Sequence, residues 1–260
     1  MIRIDCRNVS ENGLAESEAI RSACDCFVRH GYAILDRVIP EDKVRTLEVE
    51  FREQYSAHYE ALRAADFLKV GEKRRLIAIR LAGAFADPLL YANPFVVALI
   101  RQTLDEDAIL EAFGAVVSMS GSESQHIHSD GPPLFNSKIS RILPAYAITC
   151  AFPLIEMNPL HGTTAIWPDS HRWPERKDEV LPETPTIPIG SCFLWDFRLY
   201  HGGTANRSNR PRPMIYATYA RRWYQDPLTF THDFKTRLVF DTAFKESVGS
   251  DARSLFAHVF

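Results

Sequence analysis

The sequence predicts a mainly β protein with a helical front section, folded as one domain. Three observations carry that expectation. Before about residue 108, apolar residues recur at helical spacing. From about residue 109 the texture changes to short apolar or alternating runs separated by turn residues: 114–119, 125–130, 145–154, 163–167, 186–188, 191–196 and 213–220. Such spacing fits an antiparallel sandwich or barrel better than alternating βα units. The 260 residues, 46% hydrophobic and 24% charged, are also sufficient for a full core.

The elements follow in order. Residues 15–30 put Ile20, Ala23, Phe27 and Val28 on one side of a helix, with Gly31 as its stop. Tyr32 to Leu35 reads as a short strand. Pro40 and Glu41 open a second helix at a position that tolerates proline, with Val44, Leu47, Phe51 and Tyr55 forming its stripe. Residues 60–85 are dense in Arg63, Lys69, Lys73, Arg74, Arg75 and Arg80. The plain reading is a solvated surface, because charged side chains mostly stay exposed. The alternative has one of these cations facing an anionic substrate or cosubstrate. Pro94 introduces a third helix, with Val96, Val97, Leu99 and Ile100 on its apolar side. Gly190-Ser191 is a tight turn into Phe193-Leu194-Trp195. Residues 225–260 read as a partly helical extension, placed to cover the barrel mouth. The expected layout is a helix-rich part (1–108), a β core (109–224) and that extension.

Composition narrows the class. Net charge is −3 without a basic block, which gives no support for nucleic acid or an anionic membrane as partner. No apolar segment approaches the roughly 18 residues that span a bilayer. The first residues lack the apolar run of a signal peptide. Five cysteines, an odd number without a CxxC pair, read as buried thiols of a reduced, cytoplasmic chain. The oligomeric state is open.

The chemistry centres on Gln125-His126-Ile127-His128-Ser129-Asp130. Residues two apart on a strand point the same way, so His128 and Asp130 present an imidazole and a carboxylate from one face. By itself such a pair is common by chance. His201, in a distant glycine-rich strand and turn, would complete two nitrogens and one oxygen on one side of a metal. That leaves three positions open, the ligand set of non-haem Fe(II) oxygenases. Arg212 follows on the next strand, where a guanidinium grips a carboxylate with two parallel hydrogen bonds. A dicarboxylic cosubstrate would chelate iron at one end and meet Arg212 at the other, as 2-oxoglutarate requires. His126 shares the same strand face. It is expected to line the pocket or to be a hydrogen-bonded core histidine rather than a fourth ligand. His161 and His171 read as surface residues, and Cys24 and Cys26 as packing.

Four segments together resemble the phytanoyl-CoA dioxygenase family of Fe(II)/2-oxoglutarate-dependent oxygenases. They are His30 to Leu35 with Val38-Ile39-Pro40, Gly121 to Asp130, Gly162 to Trp173, and His201 to Asn206-Arg207-Ser208 with Arg210 to Pro213. The resemblance implies a double-stranded β-helix (jelly-roll, cupin-like) core. It implies Fe(II), 2-oxoglutarate and O2 as cofactor and cosubstrates, with His128, Asp130 and His201 on iron and Arg212 on the distal carboxylate. Gln125 and Thr164 would be secondary cosubstrate contacts. Asp130 disfavours the halogenase variant, in which a glycine or alanine frees a site for chloride. Asp169 stands where the family has glycine, and Gly190-Ser191 replaces Gly-Asp.

The expected reaction couples oxidative decarboxylation of 2-oxoglutarate to succinate with hydroxylation, or a related C–H oxidation, of a small organic substrate of specialised metabolism. Substrate contacts are expected from 60–90, 131–143 and the extension. The rival reading is a non-catalytic metal-binding or scaffold protein on the same barrel. A second rival, the HxHxDH pattern of dinuclear zinc hydrolases, fails at Gly131, where its last histidine should stand.

Overall fold

Helix α1 (Glu18–His30) starts where the Ser17 hydroxyl accepts the Ile20 amide at 3.2 Å. It stops at Gly31, whose φ of 80° is a left-handed cap. Helices α2 (Glu41–Tyr55), α3 (Ala57–Glu60) and α4 (Pro88–Tyr91) follow. Helix α5 (Pro94–Thr103) is capped by Asn93 and has proline in its first turn, as expected. Val44, Leu47 and Phe51 of α2 are buried, as their spacing requires. The computed structural model describes residues 3–7, 9–10, 13–60, 67–135, 138–226 and 237–260.

Ten strands appear among the described residues: β1 (Arg3–Asp5), β2 (Tyr32–Asp36), β3 (Phe67–Lys69), β4 (Arg74–Ala78), β5 (Ile109–Ser118), β6 (Ala147–Pro153), β7 (Thr164–Ile166), β8 (Cys192–Asp196), β9 (His201–Gly203) and β10 (Arg212–Ala220). Eight form one sheet in the order β1-β2-β8-β6-β10-β5-β4-β3. Only the β1–β2 pair is parallel. The antiparallel β7–β9 pair is a second, smaller sheet. Single bridges extend it, from His201 to His128 on one edge and from Ile166 to Glu183 on the other. The two sheets form the double-stranded β-helix core that the β texture and the family likeness led us to expect.

Strand alternation splits the core in two. Leu35, Leu194, Cys150, Ile215 and Ala217 face outward and share one cluster with Phe27, Phe51 and Ile100 of the helices. Ile34, Phe193, Trp195, Ala151 and Met214 face inward and meet Ile166 and Leu199. The space between the sheets is where the site lies. Gly190 shows why a glycine stands at its turn. Its φ is 81°, and a Cβ there would lie 2.5 Å from the Ile39 carbonyl oxygen.

Several expectations need correction. Residues 125–130 are not a regular strand; only His128 makes a bridge. The basic stretch hides β3 and β4, and Arg74 is 1% exposed rather than solvated. Arg63 lies outside the described residues, as do 61–66, 136–137 and 227–236 of the segments expected to meet substrate. The C-terminal helices α6 (Thr242–Ser247) and α7 (Ser250–Arg253) do not cover the mouth. Phe244 and Phe256 pack edge-on against Tyr91, in the outer core. His171 is buried, not a surface residue. Among the described residues no helix is long and apolar enough to cross a membrane. All five cysteines are buried free thiols.

Candidate metal centre

Residues His128, Asp130 and His201 converge between the sheets. One ligand atom from each lies within 4.8 Å of the others. Backbone pairing brings the histidines together: each amide donates to the other residue's carbonyl, at 3.0 and 2.8 Å. Asp130 comes from the bend that follows. The turn is possible because Gly131 has no side chain. A Cβ there would sit 2.4 Å from the Tyr146 hydroxyl and 3.0 Å from the Phe197 ring.

Each ligand is held from behind. Nδ1 of His128 donates to the His126 carbonyl at 2.9 Å, and Nδ1 of His201 donates to the Leu199 carbonyl at 2.9 Å. A carbonyl oxygen only accepts, so in the neutral form of each ring Nε2 is the nitrogen without a proton, and a cation can take it. Asp130 Oδ2 accepts from Thr149 Oγ1 and Trp195 Nε1, both at 2.8 Å. That leaves Oδ1 facing His201 Nε2 at 3.3 Å. Burial alone would raise the Asp130 pKa, but the His201 and His128 imidazoles and these hydrogen bonds hold it well below the usual carboxylate range. Burial alone would lower the His201 pKa; Asp130 raises it instead. Burial, then the neighbouring His201, lowers that of His128. Two imidazoles and one carboxylate with free, convergent lone pairs fit one divalent first-row metal.

Arg212 shares its strand face with Met214 of the inner cluster. It is buried, and among the described residues its Nε has no hydrogen-bond partner and Nη1 reaches only Met214 Sδ at 3.9 Å. Burial, then the charge of Arg74, draws its pKa down to about 9, so at neutral pH it stays cationic. A buried cation with unspent donors fits an anionic ligand.

The other expected contacts are placed as follows. Thr164 is buried on β7, opposite Gly203 and on the same strand face as Ile166 of the inner cluster. The Gln125 amide is taken up by the backbone: Oε1 accepts from the Gly203 amide at 2.9 Å and Nε2 donates to the Val70 carbonyl at 3.1 Å. His126 is exposed, with its ring 5.3 Å from that of His128, and is not one of the three convergent ligands. Asp169 adopts the left-handed φ of 67° that glycine would supply, and its carboxylate meets His30 Nδ1 at 2.8 Å.

Sequence reasoning missed the brace behind Asp130 and the burial of Arg74. Thr149 carried a signal, as the one polar residue in the run Ala147 to Pro153. Trp195 appeared only as the end of the apolar run after Gly190-Ser191. Arg74 carried none, since Lys73-Arg74-Arg75 reads as surface.

A family model described as phytanoyl-CoA dioxygenase (PhyH) matches residues 27–214. Among curated relatives, "Dioxygenase af480" of Aspergillus fumigatus is 26% identical over 152 residues, 54% of this chain. The chain thus spans 46% of that relative's length. Among solved structures, the α-ketoglutarate-dependent epimerase SnoN from nogalamycin biosynthesis shares the fold, with a TM-score of 0.59, 20% identity and coverage of 78% of this chain and 83% of SnoN. SnoN is also solved with Fe3+, α-ketoglutarate and nogalamycin RO. HygX from Streptomyces hygroscopicus, with nickel and 2-oxoglutarate bound, gives a TM-score of 0.64 at 13% identity, covering 85% of this chain and 96% of HygX. The chain belongs to the phytanoyl-CoA dioxygenase family.

Proposed function

We propose that the protein is an Fe(II)/2-oxoglutarate-dependent oxygenase that hydroxylates, or otherwise oxidises at a C–H bond, a small organic molecule of specialised metabolism. The observation that carries this reading is the convergence of three metal-binding atoms within 4.8 Å, together with a buried arginine on the inner strand face whose Nε has no partner among the described residues. His128, Asp130 and His201 would hold the metal, and Arg212 the distal carboxylate of 2-oxoglutarate. With O2, bound iron and 2-oxoglutarate supply an oxidant able to break a C–H bond, releasing succinate and CO2. The chain's own part is to bind, orient and exclude water. The backbone carbonyls of His126 and Leu199 keep both imidazoles in the metal-binding tautomer. Thr149 and Trp195 aim the carboxylate. Tyr216 and Val116, on the large sheet's inner face, offer an apolar wall that places a C–H bond away from water.

Thr164 is proposed as a cosubstrate contact from the inner face of β7. Gln125 is proposed to act on the cosubstrate through its hold on Gly203. Residues 1–260 are proposed to form one catalytic domain, and the five buried thiols fit a cytoplasmic setting. One relative by fold is named an epimerase, so the fate of the substrate is a matter for product analysis. The test is aerobic turnover with Fe(II), 2-oxoglutarate and a panel of small organic candidates. Succinate formation that rises with one substrate, together with an oxidised product, is expected. No succinate with any substrate, from protein shown to hold the metal, would favour a non-catalytic scaffold.

A further inference from the structure

We propose that Arg74 is a positioning residue for the metal centre, clamping both chain segments that carry the triad to the large sheet. The inference rests on the oxygenase reading for what the triad binds.

The triad segments hold one another well. Gln125 N donates to the Gly203 carbonyl at 2.8 Å, and His128 and His201 exchange backbone bonds. These links run within the small sheet. The cosubstrate arginine stands on the large one, so the two must be kept in register. Arg74 does this from the strand row that contains Arg212: β4 pairs Arg74 with Ser118 of β5, and β10 pairs Arg212 with the same serine. From there Nη1 donates to Ser118 Oγ at 2.6 Å. Nη2 donates to the carbonyls of Glu123 at 2.8 Å, Thr204 at 2.7 Å and Gly203 at 3.3 Å. Glu123 leads into the His128 segment, and Gly203-Thr204 directly continue the His201 strand. Ser118 Oγ is in turn 2.7 Å from Ser122 Oγ, beside Glu123. One guanidinium therefore grips both halves of the triad and the row that carries Arg212.

Two features point to more than filling of space. Every one of these acceptors is a neutral oxygen, and an apolar side chain would fill an inner strand position without burying a cation. Gly203 also leaves room for the clamp: a Cβ there would lie 2.7 Å from Arg74 Nη1 and 2.8 Å from Gln125 Oε1. A lysine keeps the charge but has one nitrogen, which cannot span oxygens on both sides of a planar fork.

The test is anaerobic titration of the metal-free full chain with Co(II), read by its visible absorption, beside thermal unfolding by circular dichroism. The variants are Arg74→Lys, Ser118→Ala and, as a control in the outer core, Phe256→Leu. Arg74→Lys is expected to weaken Co(II) binding about tenfold, as loss of a support behind the ligands does. Ser118→Ala should weaken it roughly threefold, the effect of one lost hydrogen bond. Phe256→Leu should lower the unfolding temperature without changing the affinity. Wild-type affinity in Arg74→Lys, or in Ser118→Ala if the lysine variant does not fold, overturns the proposal. So does an equal loss in Phe256→Leu. Wild-type protein that binds no Co(II) overturns the oxygenase reading as well, which separates the two failures.

Discussion

Arg74 and Arg212 flank one serine on adjacent strands, and both are at most 2% exposed. Burial lowers the pKa of both, Arg74 to about 10 and Arg212 to about 9. They differ in what their donors meet. Arg74 spends its Nη groups on a serine hydroxyl and three carbonyls. Among the described residues, Arg212 has an unpaired Nε and a single weak sulfur contact. A buried guanidinium whose Nη groups are engaged holds the protein together; one left unengaged is held ready for something else. Unspent donors, rather than burial or charge, separate the two roles.

The largest expected effect comes from treating the pair alike. Arg74→Met should destabilise the protein by about 4 kcal/mol in urea unfolding, since several buried acceptors lose their donors. Arg212→Met, measured without 2-oxoglutarate, should leave stability unchanged or raise it by about 1 kcal/mol, because a buried, uncompensated charge is removed. The same Arg212 variant should weaken 2-oxoglutarate binding about a hundredfold, the scale of a lost buried charge contact. Equal destabilisation by both methionines would erase the distinction.

His171 sharpens the comparison from another side. Its Nδ1 is also buried without a partner among the described residues, but a histidine can shed its proton. Burial lowers its pKa from 6.5 to about 4. The unfolded chain therefore takes up this proton first as pH falls. Stability fully present above pH 6.5 is lost toward pH 4, by on the order of 3 kcal/mol at most. Urea midpoints across that window should fall less steeply in His171→Asn than in wild type. Parallel slopes would remove His171 from this role.

The smallest effect concerns the other tie to the large sheet. Trp195→Phe removes one of two donors to Asp130 Oδ2 while keeping most of the inner packing. Metal affinity should fall about tenfold with little change in stability. An unchanged affinity would show that Thr149 alone orients the carboxylate.

What could be read from the sequence follows from how local each signal is. The caps at Ser17, Gly31 and Asn93 act over a single turn, and α1, α2 and α5 appear where they were expected. The triad was readable because the pair His128 and Asp130, two residues apart, is followed by His201 and Arg212 in an order that one site explains. Residues 125–130 misled: their alternation resembles a strand, but the turn at Gly131 and a single bridge shape them. Arg74 and His171 were misplaced because burial of a polar residue depends on partners distant in sequence, at Glu123 and Thr204 for the first and beside Gly31 for the second. The C-terminal helices docked on Tyr91 for a similar reason: their aromatic faces found the outer core.

The most direct measurement is anaerobic titration of the full chain with Fe(II) and then 2-oxoglutarate, followed by visible absorption. The expected result is a weak charge-transfer band that saturates at one equivalent of each, is absent in Asp130→Ala, and needs far more 2-oxoglutarate in Arg212→Met. A wild-type protein that develops no band, or an Asp130→Ala variant that develops it undiminished, would contradict a single iron centre built from His128, Asp130 and His201.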